Sequence, residues 1–244
     1  MVVILVVLTF AVCMFADWLI HRKEVHKAPP VWVRSAEDFK KALSTPISVE
    51  GFRIQQEMAY HLGHTWAIPE GIDRVRVGID DFAQHLMGHI SNLRLPKVGD
   101  RVVQGMEALA LERETRNAVL MSPMTGRVVA VNSLVRNHPD VIRNDPYGSG
   151  WLLIVQTQDL QANLNNLLSG ELVRRWMEDA CVRLRVLLSD RTTLSFQDGG
   201  MLIKDFSAHL DDSKWDVLVQ TFFLAAPGYA SRSEKDRAIR CSGP

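Results

Sequence analysis

Between Arg74 and Gln156 the chain is cut into short apolar stretches by turn-forming residues, and this spacing limits its fold more than any other feature. Val75, Val77 and Ile79 alternate with Arg74 and Arg76, the period-two pattern of a half-buried strand. Asp80 stands where it can cap a following helix that runs to about Met87. Pro96-Lys97-Val98-Gly99-Asp100 is a turn, because proline fixes one backbone angle and glycine accepts conformations that other residues avoid. Met106 to Glu112 alternates again, with Leu109 and Leu111 against Ala108 and Ala110, and Val119 and Met121 resume beyond a polar stretch. That pattern predicts strand, exposed charged tip, strand. Arg127 to Asn132 and Trp151 to Gln156 supply further strands. Many short strands separated by Gly/Pro turns predict a compact barrel or sandwich.

The periodicity then changes. Leu172, Val173, Trp176, Met177, Ala180, Cys181, Leu184, Leu187 and Leu188 recur at helical spacing, with Arg174, Arg175, Glu178, Asp179 and Arg183 on the other side. A helix from Ser169 to about Leu188, packed on its own β domain, is the expectation. Beyond it, Asp198-Gly199-Gly200 forms a turn, and Ile203 to Leu224 predicts one or two short helices, apolar at Phe206, Leu210, Trp215, Leu218, Val219, Phe222 and Phe223. Residues 189–228 are read as a small helical appendage and the polar stretch 229–244 as a disordered tail.

At the other end, Val2 to Ile20 is almost wholly apolar. As a helix rising ~1.5 Å per residue it spans roughly 28 Å, close to a bilayer core. Its Val, Leu, Ile and Phe residues favour insertion by roughly 4–7 kcal/mol, against at most about 3 kcal/mol for Asp17, which lies near the end of the run. Trp18 sits where an interfacial aromatic belongs, and Asp17 reads as an interfacial residue rather than an intramembrane functional acid. A cleaved signal would want a basic start and a small-x-small site, and the Ala-Asp-Trp stretch provides neither. Arg22, Lys23, Lys27 and Arg34 follow the run, so the positive-inside rule places the remainder in the cytoplasm. The expected organisation is a transmembrane anchor over 1–21, a basic proline-bearing linker over 22–34, and a folded domain over 35–188 that opens on a short helix from Ser35 through Leu43. Such a chain is a single-pass protein of the inner (cytoplasmic) membrane.

Composition excludes several functions. The formal net charge is +0, so no broad attraction to nucleic acid is implied. Cys13, Cys181 and Cys241 are far apart, which argues against a disulfide framework and against zinc spacing. No Ser/His/Asp order, paired-carboxylate signature or phosphate loop stands out, so an autonomous active site is not expected. His85 and His89 share a helical face only if the helix passes Gly88, and with His61 or His64 as a third ligand they make a weak metal motif. No metal is assigned. His64 reads as mainly structural.

Several ordered segments carry a resemblance. They are Tyr60-His61-Leu62-Gly63-His64-Thr65-Trp66, Val77-Gly78-Ile79-Asp80-Asp81-Phe82-Ala83-Gln84, Leu95-Pro96-Lys97-Val98-Gly99-Asp100, Ser122-Pro123-Met124-Thr125-Gly126-Arg127-Val128 and Asn144-Asp145-Pro146-Tyr147-Gly148-Ser149-Gly150-Trp151-Leu152. Together they resemble the glycine cleavage system H protein family. The resemblance implies a mainly β fold with flanking helices (α+β), a barrel-sandwich hybrid. It also implies a lipoyl group carried on a lysine of the hairpin just before the Ser-Pro turn.

Counting back from Ser122-Pro123 without a gap, that position is Thr115. Lipoylation forms an amide and needs a primary amine, which a threonine hydroxyl does not offer. The neighbouring Arg113 and Arg116 stay protonated and are poor acyl acceptors. No lysine occurs between Lys97 and Lys204. The position is therefore read as degenerate and no cofactor is expected. Arg113, Glu114, Thr115, Arg116 and Asn117, exposed by their polarity, become candidate contacts for a protein partner, expected to be a membrane-associated complex. The resulting expectation is a membrane-anchored, non-catalytic accessory protein. The alternative is a true lipoyl carrier of the glycine cleavage system or a related 2-oxoacid-type pathway.

Overall fold

A computed structural model describes residues 46–114, 116–189 and 210–223, all within one compact unit of the chain, Val33–Pro244. The predicted anchor (1–21), linker (22–34), first short helix, the Asp198-Gly199-Gly200 turn and the tail (229–244) lie outside the described residues, as does Thr115. No helix among the described residues is long and apolar enough to cross a membrane.

The described chain begins with a β-hairpin, β1 (Pro46–Val49) and β2 (Phe52–Gln55), followed by β3 (Ala59–Tyr60), β4 (Thr65–Pro69) and β5 (Arg74–Ile79). Helix α1 (Asp81–Met87) leads to β6 (Asn92–Arg94), β7 (Arg101–Val102), β8 (Glu107–Arg113), β9 (Arg116–Met121) and β10 (Gly126–Val131). Two one-turn helices, α2 (Ser133–Asn137) and α3 (Asp140–Asn144), precede β11 (Leu153–Gln156). The chain continues through α4 (Leu160–Asn165), α5 (Glu171–Ser189) and α6 (Asp212–Phe223).

The strands form three antiparallel sheets: β1-β2, β3-β4-β5-β11-β10-β7, and β6-β8-β9. The mainly β, helix-flanked architecture follows directly from these pairings, which by themselves do not close a barrel. The six-stranded and three-stranded sheets are tied by the Thr65 hydroxyl, which donates to the Met121 carbonyl at 3.0 Å.

The centre of the six-stranded sheet depends on one size match. Trp66 on β4 faces Gly78 on β5, is fully buried, and donates its indole N–H to the Ile79 carbonyl at 2.8 Å. A Cβ at Gly78 would lie 2.4 Å from Trp66 Cζ2, inside any allowed contact. The strand can pass the indole face only because residue 78 has no side chain. Val75, Val77 and Ile79 point into this core as their alternation predicts.

Buried polar links fix the helices to the sheets. Asp81 is buried and accepts from the Arg53 backbone N–H at 2.8 Å and from its guanidinium at 3.0 Å, joining α1 to β2. That hydrogen bond to Asp81 raises the pKa of Arg53 further. The phenols of Tyr60 and Tyr147 are fully buried, and burial pushes both far above the ordinary tyrosine value. Both remain hydrogen-bonding hydroxyls, Tyr60 to the Gln55 carbonyl and Tyr147 to the Arg53 carbonyl.

Gly78→Ala is expected to destabilise the domain by about 2 kcal/mol or more, because Trp66 cannot yield without giving up its hydrogen bond. Equilibrium denaturant unfolding of the variant against the parent chain measures it.

Candidate functional site

Strands β8 and β9 form a two-residue hairpin, with Arg113 opposite Arg116, Glu112 opposite Asn117 and Leu111 opposite Ala118. At the turn Glu114 has φ +50°, the left-handed conformation that tight hairpins require and that a side-chain-bearing residue adopts at some cost. The sequence predicts an exposed charged tip here. The structure departs from that expectation. Arg113 and Asn117 are 9% and 3% exposed, and β9 is buried from Asn117 to Met121.

The reason is α6, which lies against β9. Arg116 donates from Nε and a terminal nitrogen to Asp212 Oδ1 at 3.2 and 3.1 Å, donates also to the Leu210 carbonyl, and sits 5.6 Å from the Trp215 ring. Trp215 Nε1 donates to the Asn117 carbonyl at 3.3 Å. Arg113 turns the other way and donates to the Met87 carbonyl at 3.0 Å, where a cation meets the negative end of α1. Of the five expected partner contacts, Arg113, Arg116 and Asn117 are thus engaged within the chain. Glu114 is exposed, and Thr115 lies outside the described residues.

Further along, α6 reaches His64. The imidazole is fully buried, with Nδ1 2.7 Å from Asp80 Oδ2. Asp80 also accepts the Ala83 N–H at 2.7 Å as the cap of α1, and its own N–H donates to the His64 carbonyl at 3.1 Å. With Asp80 as acceptor, Nδ1 carries the proton and Nε2 the lone pair. The ring stacks on Phe82 at 4.3 Å, with Trp176 at 4.6 Å and Phe222 and Phe223 at 6.0 and 6.4 Å. Nε2 has no hydrogen-bond partner among the described residues. Among the described residues no hydroxyl or thiol is bonded to it.

The other histidines separate. Gly88, at φ +65°, ends α1 between His85 and His89. His85 Nδ1 bonds back to the Asp81 carbonyl at 2.6 Å, while His89 faces Asp140 at 3.4 Å. Among the described residues no group of three or more His, Cys, Asp or Glu could hold a metal. Cys181 is buried on α5, and burial pushes its thiol up to about 12, far from the range of a reactive thiolate.

The lipoyl group that the family implies has no acceptor among these side chains. Position 115 carries a hydroxyl, and both adjacent arginines are guanidinium groups already bound within the fold. Among the described residues, Lys214 lies in the first turn of α6 between Asp212 and Trp215, the residues that contact Arg116 and Asn117.

Sequence reasoning gave Asp80 as a cap, which the structure shows, and His64 as mainly structural; its burial comes from the structure. It missed the Arg53–Asp81 pair and the Arg116–Asp212 pair, both between residues far apart in the chain. The adjacent acidic residues Asp80-Asp81 after a buried strand were the available signal for the first; nothing local signals the second.

Known proteins place this architecture. The sequence model of the glycine cleavage H-protein family matches residues 58–180. The chain is 38% identical over 126 residues to the glycine cleavage system H protein of Xanthomonas campestris pv. campestris (strain B100), covering 52% of this chain and 95% of that protein. It is 37% identical over 117 residues to the glycine cleavage system H protein of Idiomarina loihiensis, covering 48% of this chain and 90% of that one. A crystal structure of the H protein from Mycobacterium marinum aligns at 29% identity over 52% of this chain and 98% of that chain, with a TM-score of 0.46. The chain belongs to the glycine cleavage H-protein family. The match ends at residue 180, before α6 begins at Asp212.

His61, beside His64, is held below the ordinary histidine value, by burial first and by its neighbour His64 second. Its Nδ1 accepts the Gly63 N–H at 3.1 Å, a bond that needs the neutral ring. A lowered folded-state pKa means the unfolded chain binds the proton more readily, so stability rises with pH across this window. The contribution is fully present above about pH 6.5 and is lost as pH falls through the depressed folded value. His61→Gln is expected to flatten the stability profile between about pH 7 and pH 5, read by denaturant unfolding at each pH.

Proposed function

We propose that this chain is an H-protein-fold domain that works without a lipoyl arm, by contact with another protein. The absence of any lysine between Lys97 and Lys204 carries this reading, because an amide to lipoate cannot form where no primary amine is offered. The binding of Arg113 and Arg116 within the fold supports it, since neither side chain is available to stand in. The barrel-sandwich hybrid expected from the family belongs to the same proposal, as does a membrane tether through residues 2–20. What supports the tether is the length and apolarity of that run and the basic residues after it. A tethered module meets membrane-bound partners at raised effective concentration. On this reading the protein is not an enzyme, and its partner is a protein complex at the cytoplasmic face of the membrane.

The second reading is a carrier in the glycine cleavage system, for which its relatives are named. Identity of 38% over 126 residues favours it more directly than it favours an arm-free role. Lys214, in the first turn of the helix that lies against β9, is a described residue that could give it an amine.

Intact-mass measurement of protein purified from its native membrane separates the two. The unmodified chain mass is expected; a lipoyl increment, mapped to any lysine, overturns the arm-free reading. A companion measurement uses Thr115→Lys with a lipoate ligase. Modification of this variant and not of the parent is expected if position 115 lost only its amine.

A further inference from the structure

The feature that neither the family nor the proposed function accounts for is α6. The match to the family ends at residue 180, and the 126 residues aligned to the Xanthomonas protein already cover 95% of that relative, so α6 is an addition to the shared domain. It lies on the element where the sequence places the partner contacts. We propose that α6 is a releasable cover, an autoinhibitory contact that occupies the β8–β9 hairpin and the His64 face and must lift before another protein can take them. The idea rests on the interaction reading above and names its regulation.

Four observations support it. First, α6 binds by one face: Trp215, Leu218, Val219, Phe222 and Phe223 are buried, while Asp212 and Val217 are open to solvent. Second, its polar anchors cluster at one end. Arg116 holds Asp212 and the Leu210 carbonyl, and Trp215 holds the Asn117 carbonyl, whereas Phe222 and Phe223 at the other end make only ring contacts among those described. Third, the surface beneath holds polar atoms with unused capacity. His64 Nε2 and Asn117 Oδ1 are buried acceptors without a hydrogen-bond partner among the described residues. A buried acceptor left unbonded is a cost that an occupant with donors would relieve. α6 presents aromatic carbon to His64, so it covers the acceptor without satisfying it. Fourth, a twelve-residue helix is marginal on its own in water, so lifting and melting of α6 go together.

That coupling makes the proposal measurable. Hydrogen exchange of the full chain, read by mass spectrometry, should show α6 amides exchanging at least about tenfold faster than those of α5, with little dependence on low denaturant, as local opening gives. Leu218→Ala should speed α6 about tenfold or more and leave α5 and β5 unchanged. A protease site inserted between Gly199 and Gly200 and then cut should leave the body folded, with its unfolding transition intact. Equal exchange and equal denaturant dependence in α6 and α5, or loss of the body's transition on cutting, would make α6 a constitutive part of the core and end the proposal. Neither result bears on lipoylation, so a lipoyl increment on the intact chain would overturn the arm-free reading independently.

Discussion

The arrangement of this domain depends on one buried carboxylate. Asp80 follows β5, caps α1 with one oxygen and holds His64 with the other, while its amide bonds back to the His64 carbonyl. A buried carboxyl group is tolerated when its oxygens are hydrogen-bonded. Here the uses are a helix N-terminus and an imidazole, so the same residue sets the direction of α1 and the orientation of the ring that α6 covers. His64 adopts φ +60° at this corner, a conformation that the Asp80 contacts hold in place. Next to it Asp81 reaches to Arg53, so two successive acids bind α1 to opposite neighbours.

Much of this was legible in the sequence. The strands around Val75–Ile79 and Leu109–Leu111 announce themselves by alternation, the cap at Asp80 by its place before an apolar run, and α5 by its spacing. Gly88 correctly signals a break between His85 and His89. What could not be read is the fate of the hairpin tip. Arg113, Arg116 and Asn117 are polar, and polarity in a turn ordinarily means water. Their partners are a helix-end carbonyl at Met87 and a helix that begins at Asp212, and no periodicity links segments so far apart. Hydrophobic spacing gave α6 an apolar face without saying which surface that face would meet.

Family membership and side-chain chemistry point in different directions. The shared fold is secure, but a fold is a scaffold on which function is placed residue by residue. The hairpin pairs Leu109–Arg113 with Arg116–Leu120 and turns tightly at Glu114. Positions 113 and 116 of that hairpin carry arginines, and α6 lies against β9.

The fixed arginines also constrain what a lysine placed in this hairpin could do. A mutation to lysine at 113 would strip the carbonyl of Met87 of its guanidinium donor, and at 116 it would dissolve the forked grip on Asp212. In both cases the newcomer would be drawn into the vacated contact and not stand free as an acyl acceptor. A lysine placed between Glu114 and Arg116 would replace neither of these arginines.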